Sequence, residues 1–134
     1  MLMPVKLLKG GLVAAIEIFL DKARKGEVQI SWQHHAIPEI SEDKSLQIFR
    51  AVKEITYNTH KHSRAKNLSF VMAVYDGILI LDSQDDGIGF HDPGTTDGMG
   101  LAILQKRVAV LNGSLNVSSQ PGKGTHIVIE IPLS

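Results

Sequence analysis

The 134-residue chain carries 14 Lys plus Arg against 14 Asp plus Glu, a formal net charge of zero, with 43% hydrophobic and 21% charged residues. That length suits one soluble domain, and the lack of cysteine excludes a disulfide framework or a thiolate metal site. Balanced charge gives no support to direct nucleic-acid binding, and no apolar run approaches the roughly 18–20 residues of a membrane span.

Leu8, Leu12, Ala15, Ile16, Phe19 and Leu20 recur at helical spacing, predicting a helix from about Pro4 to Lys25 that Gly10-Gly11 can break in two. Lys6, Lys9 and Glu17 interrupt its apolar content, so it does not read as a signal peptide. Glu27 to His34 alternates as a strand, and Pro38 closes it. A second helix is expected from a Ser41 cap to about His62. Two strands follow, Asn67 to Tyr75 and Ile78 to Asp82, joined by Asp76-Gly77, a dipeptide suited to a tight primed turn. Gln84 to Gly98 reads as loop. Met99 to Leu111 returns to helical spacing and ends at Asn112-Gly113, and strands Ser114 to Ser118 and His126 to Ile131 flank a turn at Gln120 to Gly124. Helices interleaved with hairpins predict an α+β fold, a two-layer sandwich with helices on one face of the sheet.

Along the second helix Arg50, Glu54, Asn58 and His62 are spaced by four and share a face with Lys61. Leu46, Phe49, Val52, Ile55 and Tyr57 are expected on the side that packs on the sheet. A solvated face accounts for the charges. It does not account for an Asn in mid-helix, where Asn is a poor fit. Its amide oxygen could ligate a hard cation such as Mg²⁺, Glu54 could accept a proton, and Lys61 could meet a phosphate.

Asp85-Asp86-Gly87-Ile88-Gly89-Phe90 places a carboxylate before two glycines that permit close ligand approach; the carboxylate can accept from an exocyclic amine such as that of adenine. Gly98-Met99-Gly100-Leu101 opens a helix, where free backbone N–H groups favour phosphate oxygens. Gly87 and Gly89 lead into a loop rather than a helix, so no dinucleotide fingerprint is present. Gly122-Lys123-Gly124-Thr125 lacks the first glycine of a P-loop. Among His34, His35, His60, His62, His91 and His126 no zinc-ligand pattern stands out, and no G-x-S-x-G elbow supports hydrolase chemistry.

Taken in order, these segments resemble the catalytic domain of bacterial sensor histidine kinases in the GHKL ATPase superfamily. Glu54 to Ser63 is similar to the N box, Asp85 to Phe90 to the G1 box, and Gly98 to Leu101 to the G2 box; Gly124-Thr125 matches the terminal Gly-Thr pair. The Lys61-His62 pair, a short lid and Arg107-Val108 before Leu111-Asn112-Gly113 resemble the subgroup of nitrate and degradative-enzyme sensors. The resemblance implies a Bergerat ATP-binding fold with a mixed, mostly antiparallel sheet. It also implies one domain over 1–134, with about 1–25 as a linker helix from the dimerisation region and about 41–134 carrying the boxes.

The same resemblance implies the roles. Asn58 would hold Mg²⁺, Glu54 would activate the phosphoacceptor, and Lys61 and His62 would touch phosphate. Asp85 would read the adenine amine with Thr125 in support, while Gly87, Gly89, Gly98, Gly100 and Leu101 would shape pocket and lid. The cofactors implied are ATP and Mg²⁺. The implied partners are the dimerisation and phosphotransfer domain of a parent kinase and a response regulator with a helix-turn-helix output domain. The domain would be cytoplasmic, in a parent that membrane anchoring would suit. None of the six histidines has the acidic, Arg-rich surroundings of a phosphoacceptor, so the chain is expected to bind ATP without strong self-labelling. A stand-alone serine kinase of the anti-sigma type and a degenerate docking module are the alternatives.

Overall fold

The computed structural model describes residues 10–24, 26–89 and 101–134, with only the backbone of His62. Helix α1 spans Leu12–Ala23, and Gly11 at φ 92° sets its start. Residues 4–9 and 25 of the expected helix lie outside the described residues. Strand β1 is Gln29–His35 and helix α2 is Glu42–Asn58. Ser41 caps α2 by accepting a hydrogen bond from the Lys44 amide at 3.3 Å, and Glu42 and Asp43 face the positive end of the helix dipole.

Strands β2, Asn67–Tyr75, and β3, Ile78–Asp85, form a hairpin. Its turn residues Asp76 and Gly77 sit at φ 51° and 75°, the left-handed pair that the dipeptide predicts. Helix α3 is Leu101–Val110, and the left-handed Asn112 (φ 57°) follows it while the Gly113 amide donates to the Val108 carbonyl at 2.9 Å. Strands β4, Ser114–Ser119, and β5, Thr125–Pro132, complete a five-stranded sheet in the order β1-β2-β3-β5-β4. Among the described strands only β1 and β2 pair in parallel, with α2 as the crossover; the other pairs are antiparallel.

The strands bury alternate residues. Leu68, Phe70 and Met72 of β2 lie in register with the β3 positions 85, 83 and 81, and Leu79 and Leu81 lie opposite Ile131 and Ile129 of β5. These side chains form one core with Ile16 and Leu20 of α1, Ile48, Val52 and Ile55 of α2, and Leu104 and Val108 of α3. Each large aliphatic or aromatic side chain fully removed from water contributes roughly 1.5–3 kcal/mol. The opposite face keeps Val71, Asp82 and Val128 half-exposed, so the helices cover one side only.

Two expectations along α2 are corrected. The α-helix stops at Asn58 and continues as a π-helical turn over Thr59–Ser63 instead of running regularly to His62. Thr56, Thr59 and Ser63 each donate a hydroxyl to the carbonyl four residues earlier, at 2.8, 2.9 and 2.8 Å. Such side-chain bonds compete with the regular ladder and help widen it. Tyr57 does not pack on the sheet. It is 56% exposed, because Ile55 and Thr56 already hold the buried side of that turn.

Candidate functional site

Strand β3 continues three residues past its expected end at Asp82, which places Asp85 in the ladder and not in a loop. Asp85 lies opposite Thr125 of β5, and Thr125 lies opposite Ser119 of β4. The three residues therefore form one row across three strands, on the same face as buried Leu68, which is also in register with Asp85. Burial raises the pKa of Asp85. The amides of Gly87 and Thr125 oppose that rise, and the neighbouring charge of Asp86 adds to it. The Gly87 amide donates to Asp85 Oδ1 at 2.9 Å. The result is a partly dehydrated carboxylate whose remaining lone pairs suit an incoming N–H group.

Asp86 does a different job. Its Oδ1 accepts from the amides of Lys66 and Asn67 at 2.8 and 2.9 Å, and its Oδ2 accepts from Asn67 Nδ2 at 2.8 Å. The Asn67 side chain is the main cause of its lowered pKa, with the Asn67 and Lys66 amides in support. Asp86 ties the start of β2 to the end of β3.

The segment after β3 is wedged between two other elements. The Ile88 amide donates to the Ser63 carbonyl at 2.6 Å, and the Ile88 carbonyl accepts from the Gly122 amide at 2.6 Å. A Cβ on Gly87 would overlap the Ser63 carbonyl oxygen. Gly124, at φ 79°, leaves no room for a Cβ because one would overlap the Asp85 carbonyl oxygen. Ser63 is itself fixed, since its hydroxyl donates to Thr59 and accepts from the Ala65 amide at 3.1 Å. The π-helical turn, the β3 exit and the β4–β5 turn are locked together by backbone contacts that only glycine permits.

Asn58, Asp85, Gly89, Leu101 and Thr125 line one cleft of about 20 Å³, whose apolar wall is Ile55 and Ile127. Five of the residues singled out in the sequence thus meet, although they come from α2, β3 and its exit, α3 and β5. Gly87 is buried beside this cleft against Ser63. Glu54 is one turn before Asn58 on α2, half-exposed, and does not line the cleft. Lys61 is not brought to it either: its Nζ donates to Tyr57 Oη at 3.2 Å and lies 5.3 Å from that ring's centroid, on the surface. Gly98, Gly100 and the side chain of His62 lie outside the described residues.

A larger depression of about 870 Å³ separates the start of α1 from the β1–α2 connection, with Leu12, Ile37, Pro38 and Glu42 among its walls. It contains none of the candidate site residues read from the sequence. Size alone does not mark the site. Among the described residues no group of three or more His, Cys, Asp or Glu is placed to hold a metal ion. Asn58 lines the cleft, and one amide oxygen fits Mg²⁺ only as an ion that brings most of its ligands with it, as Mg²⁺ on phosphates does.

The sequence reading missed Ser63, Asp86 and Ser119. Ser119 Oγ lies 3.0 Å from Thr125 Oγ1 and 3.1 Å from the Gly124 carbonyl oxygen. The pairing of β4 with β5 brings Ser119 and Thr125 together, and no local pattern announces it.

Residues 43–134 match the family described as histidine kinase-, DNA gyrase B- and HSP90-like ATPases. The chain is 32% identical over 136 residues to the sensor histidine kinase LiaS of Bacillus subtilis, covering 98% of this chain and 37% of that protein. It is 28% identical over 142 residues to the signal transduction histidine-protein kinase/phosphatase DegS of the same organism, covering 98% and 36%. The chain therefore spans just over a third of the length of these relatives. The histidine kinase domain of a blue-light activated kinase from Erythrobacter litoralis superposes with a TM-score of 0.79 at 23% identity, over 91% of this chain and 61% of that one. The catalytic domain of histidine kinase ThkA gives 0.71 at 15% identity, over 95% and 92%. At such identities the two structures speak for the fold, which agrees with the expected two-layer α+β sandwich and its mixed sheet.

Proposed function

The chain belongs to the histidine kinase-, DNA gyrase B- and HSP90-like ATPases, and from that premise we propose that it binds ATP with Mg²⁺ and serves a protein-histidine kinase. In a longer parent, the γ-phosphoryl group would pass to a histidine of the dimerisation domain and then to a response regulator. The observation that carries this reading is the half-buried, partly satisfied Asp85 carboxylate in a cleft shared with Asn58 and Thr125.

Asp85 accepts an N–H of the adenine amine, with Thr125 beside it. Ile55 and Ile127 supply the apolar surface against which the base rests. Asp85 and Thr125 also line an adjoining depression of about 220 Å³, which extends the space beside the cleft. Asn58 contributes one oxygen to the Mg²⁺ that accompanies the phosphates. When bound, the ion would supply charge neutralisation at the phosphates, in keeping with catalysis by positioning and electrostatics. Gly98 and Gly100 are assigned to the phosphates on the resemblance to the G2 box. Lys61 leaves Tyr57 to meet them, and His62 is assigned to phosphate on the resemblance to the N box. Glu54 accepts the proton lost by the attacking imidazole.

The likeness to LiaS and DegS over nearly the whole chain supports the assignment to sensor kinases. The regulator partner would carry a helix-turn-helix output domain, and the domain would work at the cytoplasmic side. No described helix is long and apolar enough to cross a membrane.

The test is phosphotransfer with labelled ATP and Mg²⁺. Alone, the chain should take up little label. Mixed with the dimerisation fragment of its parent kinase, it should place acid-labile phosphate on that fragment, and Glu54→Gln should slow transfer while leaving ATP affinity intact. Acid-stable label on a serine, or no transfer at all, would overturn the assignment.

A further inference from the structure

The row Asp85–Thr125–Ser119 has a hydrogen-bond polarity that follows from proton counting. A carbonyl oxygen can only accept, so the bond at 3.1 Å between Ser119 Oγ and the Gly124 carbonyl must use the single hydroxyl proton of Ser119. In the contact at 3.0 Å between Ser119 Oγ and Thr125 Oγ1, Thr125 is then the donor. Its one proton is committed to Ser119, and what Thr125 can still offer the cleft is a lone pair. Ionised Asp85, next to it in the ladder, also only accepts.

We propose that Ser119, though not itself in the cleft lining, sets the nucleobase selectivity of the site by fixing Thr125 as an acceptor. The proposal rests on the nucleotide reading above and says which base that site selects. Two neighbouring acceptors suit an amine with two N–H groups, or a water bridging to one. A 6-oxo purine turns an acceptor toward the same place, so its oxygen would face the Thr125 lone pair and leave both unsatisfied. Asp85 alone does not discriminate so well, because a carboxylate can also accept from the ring N–H of a 6-oxo base.

Removing the Ser119 hydroxyl frees the Thr125 proton. The Thr125 hydroxyl can then turn and donate to a 6-oxo group, so selectivity falls without any change in the groups that line the cleft. Ser119 is thus a positioning residue.

The probes are ATP and inosine triphosphate with Mg²⁺, which share the sugar and phosphates and differ at the 6-position of the base. Titration calorimetry on the intact chain gives the ratio of their dissociation constants. Ser119→Ala should shrink the preference for ATP by about tenfold, the scale of one hydrogen bond turned from favourable to unsatisfied. Ser119→Thr keeps a hydroxyl and should restore it. Thr125→Val removes the lone pair by a second route and should also shrink the preference. Because both nucleotides are measured on the same variant, partial unfolding scales the two affinities alike and leaves the ratio unmoved. A preference unchanged in both Ser119→Ala and Thr125→Val, with tight ATP binding by the unaltered chain, overturns the role of Ser119 alone. Failure of the unaltered chain to bind either nucleotide overturns the nucleotide reading, and this proposal with it.

Discussion

Replacing Asp85 with Asn should weaken nucleotide binding while leaving the fold as stable as before, or more stable. The carboxylate is held in a partly buried place at the end of β3, where burial raises its pKa more than the Gly87 and Thr125 amides lower it. A folded-state pKa above the ordinary value means that the ionised form is better accommodated in the unfolded chain. The group therefore costs stability at neutral pH, and the cost disappears as the pH falls through its folded pKa. An amide in the same place carries no charge to dehydrate and can still accept from the Gly87 amide, which donates to Asp85 Oδ1 at 2.9 Å. The advantage of Asp85→Asn in thermal midpoint should then grow as the pH is raised from the acidic range and level off near neutrality. Binding has the opposite sign. A hydrogen bond to a charged acceptor contributes about 1.5–3 kcal/mol, so ATP affinity should fall by roughly tenfold to a hundredfold or more. Thermal unfolding without nucleotide gives the first quantity, and calorimetric titration of ATP with Mg²⁺ gives the second. A variant that melts several degrees lower and binds ATP unchanged would refute the reasoning, because Asp85 would then be a structural aspartate.

The neighbouring positions carry contrasting expectations. Asp86→Ala should lower the thermal midpoint by a few degrees, on the order of 1 kcal/mol after allowance for solvent around an exposed group. The pKa of Asp86 is lowered by Asn67, so its contribution is present at neutral pH and is lost as the pH falls through that depressed pKa. Folded Asp86→Ala should bind ATP nearly as the unaltered chain does. Gly87→Ala pushes a methyl group into the Ser63 carbonyl and should cost about 2–3 kcal/mol, read from denaturant unfolding. It should also lower ATP affinity, because the Gly87 amide orients Asp85.

Much of the architecture was legible because its signals are local. Ser41 as a cap, Asp76-Gly77 as a primed turn and Asn112-Gly113 as a helix stop each act through their own backbone, and all three are found where the sequence puts them. What the sequence hid depends on contacts across the chain. The order β1-β2-β3-β5-β4 is set by packing between distant segments, which no window of residues records. Strand β3 reads as ending at Asp82 because Ser83 to Asp85 is polar; those residues stay in the ladder through pairing with 125–127 of β5. Tyr57 was placed on the buried side by its apolar ring, yet Ile55 and Thr56 fill that side and the ring serves Lys61 at the surface. The π-helical turn escaped notice because Thr59 and Ser63 read as ordinary helix residues until their hydroxyls are seen on the preceding carbonyls. Within the site, Asn58, Asp85, Leu101 and Thr125 were recognised by residue type and order, and the structure brings them to one cleft. Ser119 needed the pairing of β4 with β5 before its link to Thr125 could be seen.

The measurement that bears most directly on the central claim is the Mg²⁺ dependence of ATP binding in the unaltered chain and in Asn58→Ala. The account predicts one saturable ATP site that Mg²⁺ tightens. In Asn58→Ala the fold should persist, and the added affinity due to Mg²⁺ should vanish. An Asn58→Ala variant that gains as much from Mg²⁺ as the unaltered chain, or an unaltered chain that takes up no ATP, would contradict it.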